Sequence, residues 1–318
     1  MRKTAGLVAA TGLLLALTAC ASGQAAACDP EWPEGGLADT VEVDGEFGAT
    51  DLEVSLLDPL VATSTSVAIL DRGDGELVRP DRNILGTLTI LDATGTTLAS
   101  ERLVLHNSGE EPNYFVATQC APLGSRVAAV GPANELVGAD FLERNALPLA
   151  PDETMVYVID IEAQFLTRAD GAWQWPQSGL PLVSLAPDGR PGLTFSGGDA
   201  PDELRVAVLK QGDGDAVEAG DRVLMRYTGV SWQNETVFDS TWDDMTPTIL
   251  EITDMSTSED GSGLVPGFAQ GIVGQRVGSQ VLLAIPPEFG YPEGSSSPVP
   301  ADDTMVFVID ILGIVDLD

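Results

Sequence analysis

The chain is 318 residues long, which suggests two domains, and 44% of its residues are hydrophobic, enough for packed cores. It carries 15 basic and 49 acidic residues, a formal net charge of -34, so its surface repels phosphate and makes nucleic acid a poor partner. With one histidine, His106, and three cysteines, sites built from several His or Cys ligands are excluded. The sequence therefore predicts no metal site and no cofactor.

The first 19 residues are typical of an export signal. Arg2 and Lys3 form a basic start, and residues 5–19 form an apolar run that is short for a membrane span. The run ends in Leu17-Thr18-Ala19-Cys20, which resembles the lipobox of bacterial lipoproteins. The resemblance implies cleavage before Cys20 and lipid attachment to its sulfur, which would anchor the chain on the extracytoplasmic face of the bacterial cell membrane. A plain secretory signal that ends in cysteine is the alternative.

Residues 20–37 are predicted to form an acidic, small-residue tether between the lipid and the body of the protein. Once Cys20 carries lipid, Cys28 and Cys120 remain as an even pair in an oxidising compartment. We expect them to form a disulfide that ties the N-terminal tail to the first domain. Two separate free thiols are the alternative.

The chain also repeats itself. Residues 151–161 read PDETMVYVIDI and residues 301–311 read ADDTMVFVIDI, and shorter matches continue upstream of both. The period is far longer than that of a solenoid repeat, so it predicts two copies of one domain, over 38–168 and 202–318. Residues 169–201 are rich in turn-forming residues and are predicted to form a linker with short extended pieces.

The second copy is predicted to consist mainly of strands. Runs of β-branched and apolar residues place them roughly at 204–209, 222–229, 248–252, 279–285 and 304–312. A short helix is expected from Pro266 to Val273, because proline suits a first helical turn. Residues 286–303 form a long loop, and loops of that length often carry function. The predicted fold class is α+β, with an antiparallel sheet wrapped on a short helix in each of the two domains.

Over residues 204–315 the second copy resembles the FKBP family of peptidyl-prolyl cis-trans isomerases. The matching motifs follow one another in chain order, and they include Gly212-Asp213-Gly214, Tyr227-Thr228-Gly229, Val237-Phe238-Asp239-Ser240, Leu264-Val265-Pro266-Gly267-Phe268, Gly274-Gln275-Arg276-Val277-Gly278, Phe289-Gly290-Tyr291, Val299-Pro300 and Thr304-Met305-Val306-Phe307. Each motif alone is weak, and their order carries the resemblance. It implies a non-covalent isomerase of X-Pro bonds, with proline-containing polypeptides as partners and macrolides of the family as inhibitors.

The resemblance also implies a shallow apolar pocket for a proline ring. Its catalytic residues would be Tyr227, Phe238, Asp239, Phe268, Tyr291 and Phe307, and its substrate-binding residues Leu264, Val265, Trp242 and Val299. Tyr291 resembles a hydroxyl donor to a ligand carbonyl. These residue types fit the chemistry, because rotation about a prolyl amide passes through a twisted, less polar state that an apolar aromatic pocket favours. Phe268 and Phe307 could instead be plain core residues, whereas Tyr291, in a loop of glycines and prolines, is harder to explain as core. Asp239 could be a turn residue, and Trp242 could be a surface residue.

Several positions depart from the family pattern. Thr248 stands where many members have an aromatic residue, and Asp244 where a basic residue often stands. In the first copy, Thr87 is aligned with Tyr227, Leu98-Ala99 with Phe238-Asp239, Tyr114 with Phe268, and Tyr157 with Phe307. We therefore expect a degenerate first domain. We expect the C-terminal domain to carry the isomerase activity, which acts on exported proteins. A non-catalytic surface chaperone or peptide-binding lipoprotein is the main alternative. A solute-binding lipoprotein is disfavoured, because helical periodicity is nearly missing.

Overall fold

The structure is a computed structural model, and it describes residues 36–106, 115–144, 146–243, 246–258, 261–291 and 298–317. The predictions that concern the signal segment, Cys20, Cys28, Tyr114 and Asp244 lie outside these residues. No helix of the described ranges is both long enough and apolar enough to cross a membrane.

The first half of the chain is built mainly of strands. A 3₁₀-helix spans Gly36–Thr40. The strands are β1 (Val41–Asp44), β2 (Glu53–Leu56), β3 (Ser66–Asp71), β4 (Arg82–Asp92), β5 (Thr97–Leu105), β6 (Arg126–Pro132) and β7 (Thr154–Leu166). The helices are α1 (Phe115–Thr118), α2 (Ala133–Leu136) and α3 (Ala139–Arg144). The 3₁₀-helix begins inside the predicted tether, and Leu37 packs on the apolar cluster behind the first sheet.

The second half has the same character. Its strands are β8 (Ala172–Trp173), β9 (Leu182–Leu185), β10 (Pro191–Thr194), β11 (Arg205–Gln211), β12 (Arg222–Ser231), β13 (Val237–Ser240), β14 (Thr248–Glu251), β15 (Gln280–Ile285) and β16 (Met305–Ile314). Its described residues also form the α-helix α4 (Pro266–Ile272) and a 3₁₀-helix over Pro287–Phe289. All five predicted strands and the predicted helix are present within a few residues of their expected bounds. The sequence analysis did not predict β13.

The two halves form sheets with the same strand order. Within the described residues, the first sheet has five strands in the order β3-β6-β7-β4-β5. The second, counted over the same part of the chain, has seven in the order β13-β12-β16-β15-β11-β8, with β14 paired to β12. Strands β11, β15, β16, β12 and β13 of the second sheet therefore repeat the order of the first, and the pairings are antiparallel. The predicted antiparallel α+β class is confirmed.

The last strand of each half lies in the middle of its sheet. Strand β16 pairs with β12 on one side and β15 on the other, and β7 pairs with β4 and β6. Residues of β16 from Met305 to Leu312 are all buried, because both faces of the sheet are covered. We call the face that carries Tyr157 or Phe307 the front face, and the opposite face the back face.

A hairpin covers the back face of each sheet. In the first half β1 and β2 pair, and they pack over Ala128, Val130, Val156 and Val158. In the second half β9 and β10 pair, and Val183, Leu193 and Phe195 pack over a cluster that comprises Leu180, Ala207, Leu282, Ala284, Val306 and Val308. The segment predicted as a linker, 169–201, thus forms strands that contribute to the hydrophobic packing of the second half.

One buried polar cluster lies behind each sheet, at equivalent positions. In the first half Arg126 Nε lies 2.6 Å from Asp160 Oδ1, with the two side chains 4% and 0% exposed. The same arginine donates to the carbonyls of Gly45 and Glu46, and Gly48 N donates to Asp160 Oδ2 at 2.6 Å. The ion pair therefore attaches the segment between β1 and β2 to the sheet.

In the second half the aspartate is Asp310, and the residue opposite it is Gln280. Gln280 Nε2 donates to Asp310 Oδ1 at 2.7 Å, and Ala169 N donates to Asp310 Oδ2 at 2.8 Å. Lys210 Nζ donates to Ala169 O at 2.8 Å. Burial raises the pKa of the Asp310 carboxyl above its ordinary value, and these hydrogen bonds and the nearby cations oppose that rise.

Cys120 occupies a turn that the second half builds with glycine. Its φ is 65°, and its N–H donates to Val78 O, just as Gly274, with φ 83°, donates to Val217 O. This left-handed conformation costs a non-glycine residue some free energy. Cys120 is disulfide-bonded, but Cys20 and Cys28 lie outside the described residues, so the pairing with Cys28 stays a prediction.

Candidate functional site

Four aromatic rings from four elements converge on the front face of the second sheet. Phe307 on β16 lies at their centre, with ring centroids 5.1 Å from Phe268 on α4, 5.5 Å from Phe238 on β13 and 6.0 Å from Tyr227 on β12. Tyr227 and Phe268 are 6.3 Å apart. All four pairs have edge-to-face geometry, which contributes about 0.5–1.5 kcal/mol a pair beyond the burial of area. We call these four residues the ring cluster.

A glycine makes room for the ring cluster. Gly229 on β12 lies opposite Phe307 on one side and Asp239 on the other. A Cβ atom at this position would lie 2.7 Å from the Phe238 ring and 2.9 Å from the Phe307 ring, closer than real Cβ contacts allow. Tyr227 lies two residues earlier, so its side chain emerges on the same face. The Tyr227-Thr228-Gly229 motif contained this signal, although the sequence analysis assigned a role only to the tyrosine.

Two further glycines bring α4 down onto the sheet. Cβ atoms at Gly267 and Gly271 would lie 2.6 Å from Ile285 and 2.5 Å from Leu283. They are four residues apart and so share one face of the helix. The resulting close approach to β15 places Phe268, 4% exposed, against Phe307.

The rim of the site is polar. Tyr227 Oη donates to Asp239 Oδ2 at 2.6 Å. Burial, together with the hydrogen bond and charge of Asp239, raises the pKa of Tyr227 well above its ordinary value. Tyr291, which is 37% exposed, also has its pKa raised by burial and by the charge of Asp239. Tyrosine is protonated at neutral pH even at its ordinary pKa, so both hydroxyls carry their protons there, and the arrangement can offer a hydroxyl donor beside an apolar surface.

The structure brings most of the predicted site residues together. Val265, Val299, Phe268 and Phe307 belong to one buried cluster, against which Leu264, Tyr227 and Phe238 pack. Phe289 packs against the same cluster and was missed, although it is part of the Phe289-Gly290-Tyr291 motif. Thr248 lies half-buried on β14.

The predicted substrate contact of Trp242 is wrong. This side chain is 1% exposed and lies over the guanidinium of Arg226, 5.0 Å from the ring centroid. Arg226 precedes Tyr227 on β12, so the two side chains emerge on opposite faces of the sheet. Trp242 therefore lies behind the sheet and away from the ring cluster.

The first half keeps the position but not the chemistry. Tyr157 is fully buried at the place of Phe307, and it is hydrogen-bonded to the backbone of Ala117. Opposite it stands Ile90 in place of Gly229, and opposite Ile90 stands Ala99 in place of Asp239. The predicted match of Thr87 with Tyr227 is wrong by one residue.

The strand register shows this shift. Leu88 pairs with Ile159 as Tyr227 pairs with Ile309, so an aliphatic side chain stands where the second half has its tyrosine. Thr87 instead matches Arg226.

The site is an apolar ring cluster with a hydroxyl and a carboxylate at its rim. It lies on an antiparallel sheet that wraps a short helix, and its groups can bind a ligand without a covalent step. Residues 214–312 match the family model for FKBP-type peptidyl-prolyl cis-trans isomerases. The chain is 33% identical over 124 residues to a probable FK506-binding protein of Corynebacterium glutamicum, covering 39% of this chain and 97% of that protein.

The chain is also 28% identical over 128 residues to an FK506-binding protein of Streptomyces anulatus, covering 39% of this chain and 97% of that protein. Among solved structures, the three FKBP domains of wheat FKBP73 are similar at 16% identity and a TM-score of 0.32, covering 79% of this chain and 95% of that chain. The chain belongs to the FKBP family, and it is an FKBP-type peptidyl-prolyl cis-trans isomerase.

Proposed function

We propose that the isomerase activity resides at the ring cluster of the second half and acts on X-Pro bonds of exported proteins. The observation that carries this proposal is the convergence of Tyr227, Phe238, Phe268 and Phe307 around one point, inside the span that matches the family model. Uncatalysed prolyl isomerisation takes tens to hundreds of seconds, which is slow enough to delay folding after export.

The mechanism we propose involves no covalent step. A prolyl amide resists rotation by about 18–20 kcal/mol, because the planar form is stabilised by resonance. The ring cluster replaces water around the proline and so favours the twisted, less polar amide over the planar one. Tyr291, whose hydroxyl is protonated at neutral pH as an ordinary tyrosine's is, donates a hydrogen bond to a substrate carbonyl. Asp239 holds the Tyr227 hydroxyl in place.

Replacing Phe238 by alanine tests the site. The ring is only partly buried, so its loss removes part of the apolar wall with limited damage to the core. We expect kcat/KM for a short X-Pro peptide to fall about tenfold or more, and the affinity for a macrolide inhibitor of the family to fall with it. Val237→Ala is the matched control, since Val237 is the preceding residue and is 58% exposed. Equal activity of both variants and the wild type would rule out the ring cluster as the site.

The proposal extends to the whole chain as two tandem FKBP-like domains, of which the first is degenerate. The shared strand order and the equivalent buried aspartates, Asp160 and Asp310, support the duplication. Ala99 and Leu88 support the loss of activity, because they remove the carboxylate and the hydroxyl that Asp239 and Tyr227 supply.

We further propose that the protein is a lipoprotein on the extracytoplasmic face of the cell membrane, anchored through Cys20, with a disulfide between Cys28 and Cys120. The support for the lipid anchor is the basic start, the apolar run and the position of Cys20 in the sequence.

We expect protein purified from membranes to show Cys28 and Cys120 alkylated only after reduction. Peptide mapping with and without reductant measures this, with Cys28→Ser as the control. Alkylation of Cys120 before reduction would contradict the disulfide.

A further inference from the structure

The β9–β10 hairpin, which covers the back face of the second sheet, contacts residues 242–243. These residues follow strand β13, which carries Phe238 and Asp239. The turn between β9 and β10 carries Gly189 and Arg190. The guanidinium of Arg190 donates through Nη2 to Trp242 O and through Nη1 to Asp243 Oδ1, the latter at 2.8 Å. A Cβ atom at Gly189 would lie 3.1 Å from the indole of Trp242, so the turn lies directly against that ring. One turn thus contacts both the backbone and the side chains of residues 242–243.

Two groups pack against Trp242 behind the sheet. The Arg226 guanidinium lies 5.0 Å from the indole centroid, and Gly189 lies at the edge of the same ring. The indole Nε1 has no hydrogen-bond partner among the described residues. Packing against the turn and the sheet, and not an indole hydrogen bond, therefore holds this side chain in its 1% exposed position.

The same segment is hydrogen-bonded to Tyr227, whose side chain belongs to the ring cluster. Thr241 Oγ1 accepts from Tyr227 N at 3.0 Å, and Thr241 N donates to Tyr227 O at 3.1 Å. Asp239, two residues earlier, accepts from the Tyr227 hydroxyl. The chain from Asp239 to Asp243 is therefore fixed to the site residue at one end and to Arg190 at the other.

We propose that Arg190 is a positioning residue of the isomerase. It acts through Trp242 and Asp243 to hold the strand end that carries Asp239 against Tyr227, so the predicted linker contributes to the site from behind the sheet. The proposal rests on the proposed location of the activity at the ring cluster. A planar guanidinium suits this role, because it satisfies a carbonyl and a carboxylate at once, which an ammonium does less well.

The test uses the whole chain with Arg190→Ala and Arg190→Lys. The matched control is Arg79→Ala, since Arg79 is also an exposed arginine that pairs with an aspartate, Asp81, at 3.2 Å. We expect Arg190→Ala to lower kcat about fivefold or more on a short X-Pro peptide, with KM changed less, because small displacements of a positioned group are costly. Arg190→Lys restores part of the loss, and Arg79→Ala matches the wild type.

Hydrogen exchange separates positioning from general unfolding. We expect Arg190→Ala to lose protection at the amides of residues 241–243 while β12 and β16 keep theirs. Wild-type kcat in Arg190→Ala would overturn the proposal, and so would loss of protection throughout both strands. Failure of the proposed function looks different, because Phe238→Ala would then keep full activity whatever the Arg190 variants do.

Discussion

A fragment that begins at residue 202 is expected to aggregate, whereas one that begins at residue 167 is expected to remain monomeric, folded and active. The shorter fragment lacks the β9–β10 hairpin and so exposes the back face of the sheet, with Ala207, Leu282, Ala284, Val306 and Val308. Monomeric proteins rarely expose contiguous apolar patches larger than about a few hundred Å². It also lacks Ala169, whose backbone binds Asp310 and Lys210. Light scattering after size exclusion measures the difference.

The two fragments are matched in every other respect. Both lose the contact between the two sheets. In that contact the Phe165 ring lies against Gly313. Leu85 and Val104 of the first half also pack there with Leu224 and Leu312 of the second. Any difference between them therefore belongs to residues 167–201. A 202–318 fragment that is monomeric and unfolds at the same temperature as the longer one would show that the hairpin contributes nothing to the stability of the second half.

Replacing Arg126 by methionine is expected to destabilise the first half by about 3–5 kcal/mol, because it leaves the Asp160 carboxylate buried without its counter-charge. It also removes the donors to the carbonyls of Gly45 and Glu46. The ring cluster lies in the other sheet, so isomerase activity should survive at temperatures where the first half unfolds. Hydrogen exchange at increasing urea concentrations measures the change in the free energy of unfolding for each sheet.

The double variant Arg126→Met/Asp160→Leu is the control for this result. Removal of both charges avoids the uncompensated carboxylate, so we expect it to recover much of the lost stability, as replaced buried ion pairs often do. A double variant as unstable as Arg126→Met alone would show that the hydrogen bonds to the β1–β2 segment, and not the charge pair, hold the first half together.

Much of the second sheet could be predicted because its strands are long apolar runs between turns. Strand β16 was found from its run of β-branched and apolar residues and from its near-copy in β7. Strand β13 was missed because four residues, two of them polar, carry too weak a pattern. The site residues came from the order of the family motifs, and the ring cluster they form is present in the fold.

The position of Trp242 and the packing of residues 169–201 could not be predicted from local sequence patterns. Trp242 follows β13 in an irregular segment, where no period tells which face a side chain takes, and its contact with Arg226 is a tertiary feature. The glycines and prolines of 169–201 indicated a linker and masked the apolar residues Val183, Leu193 and Phe195, which pack on the back face. Whether a turn-rich segment docks depends on the surface it meets, and that surface lies elsewhere in the chain.

The central position of β16 has a consequence for biosynthesis. This strand is made after its neighbours β12 and β15, and it alone joins them. Until the ribosome has added Met305–Ile314, the nascent second half holds two strands with open edges, and it cannot complete its sheet one strand at a time. A premature stop codon at position 305 would therefore do more than shorten the chain, since it would leave the second sheet without the strand that joins β12 to β15.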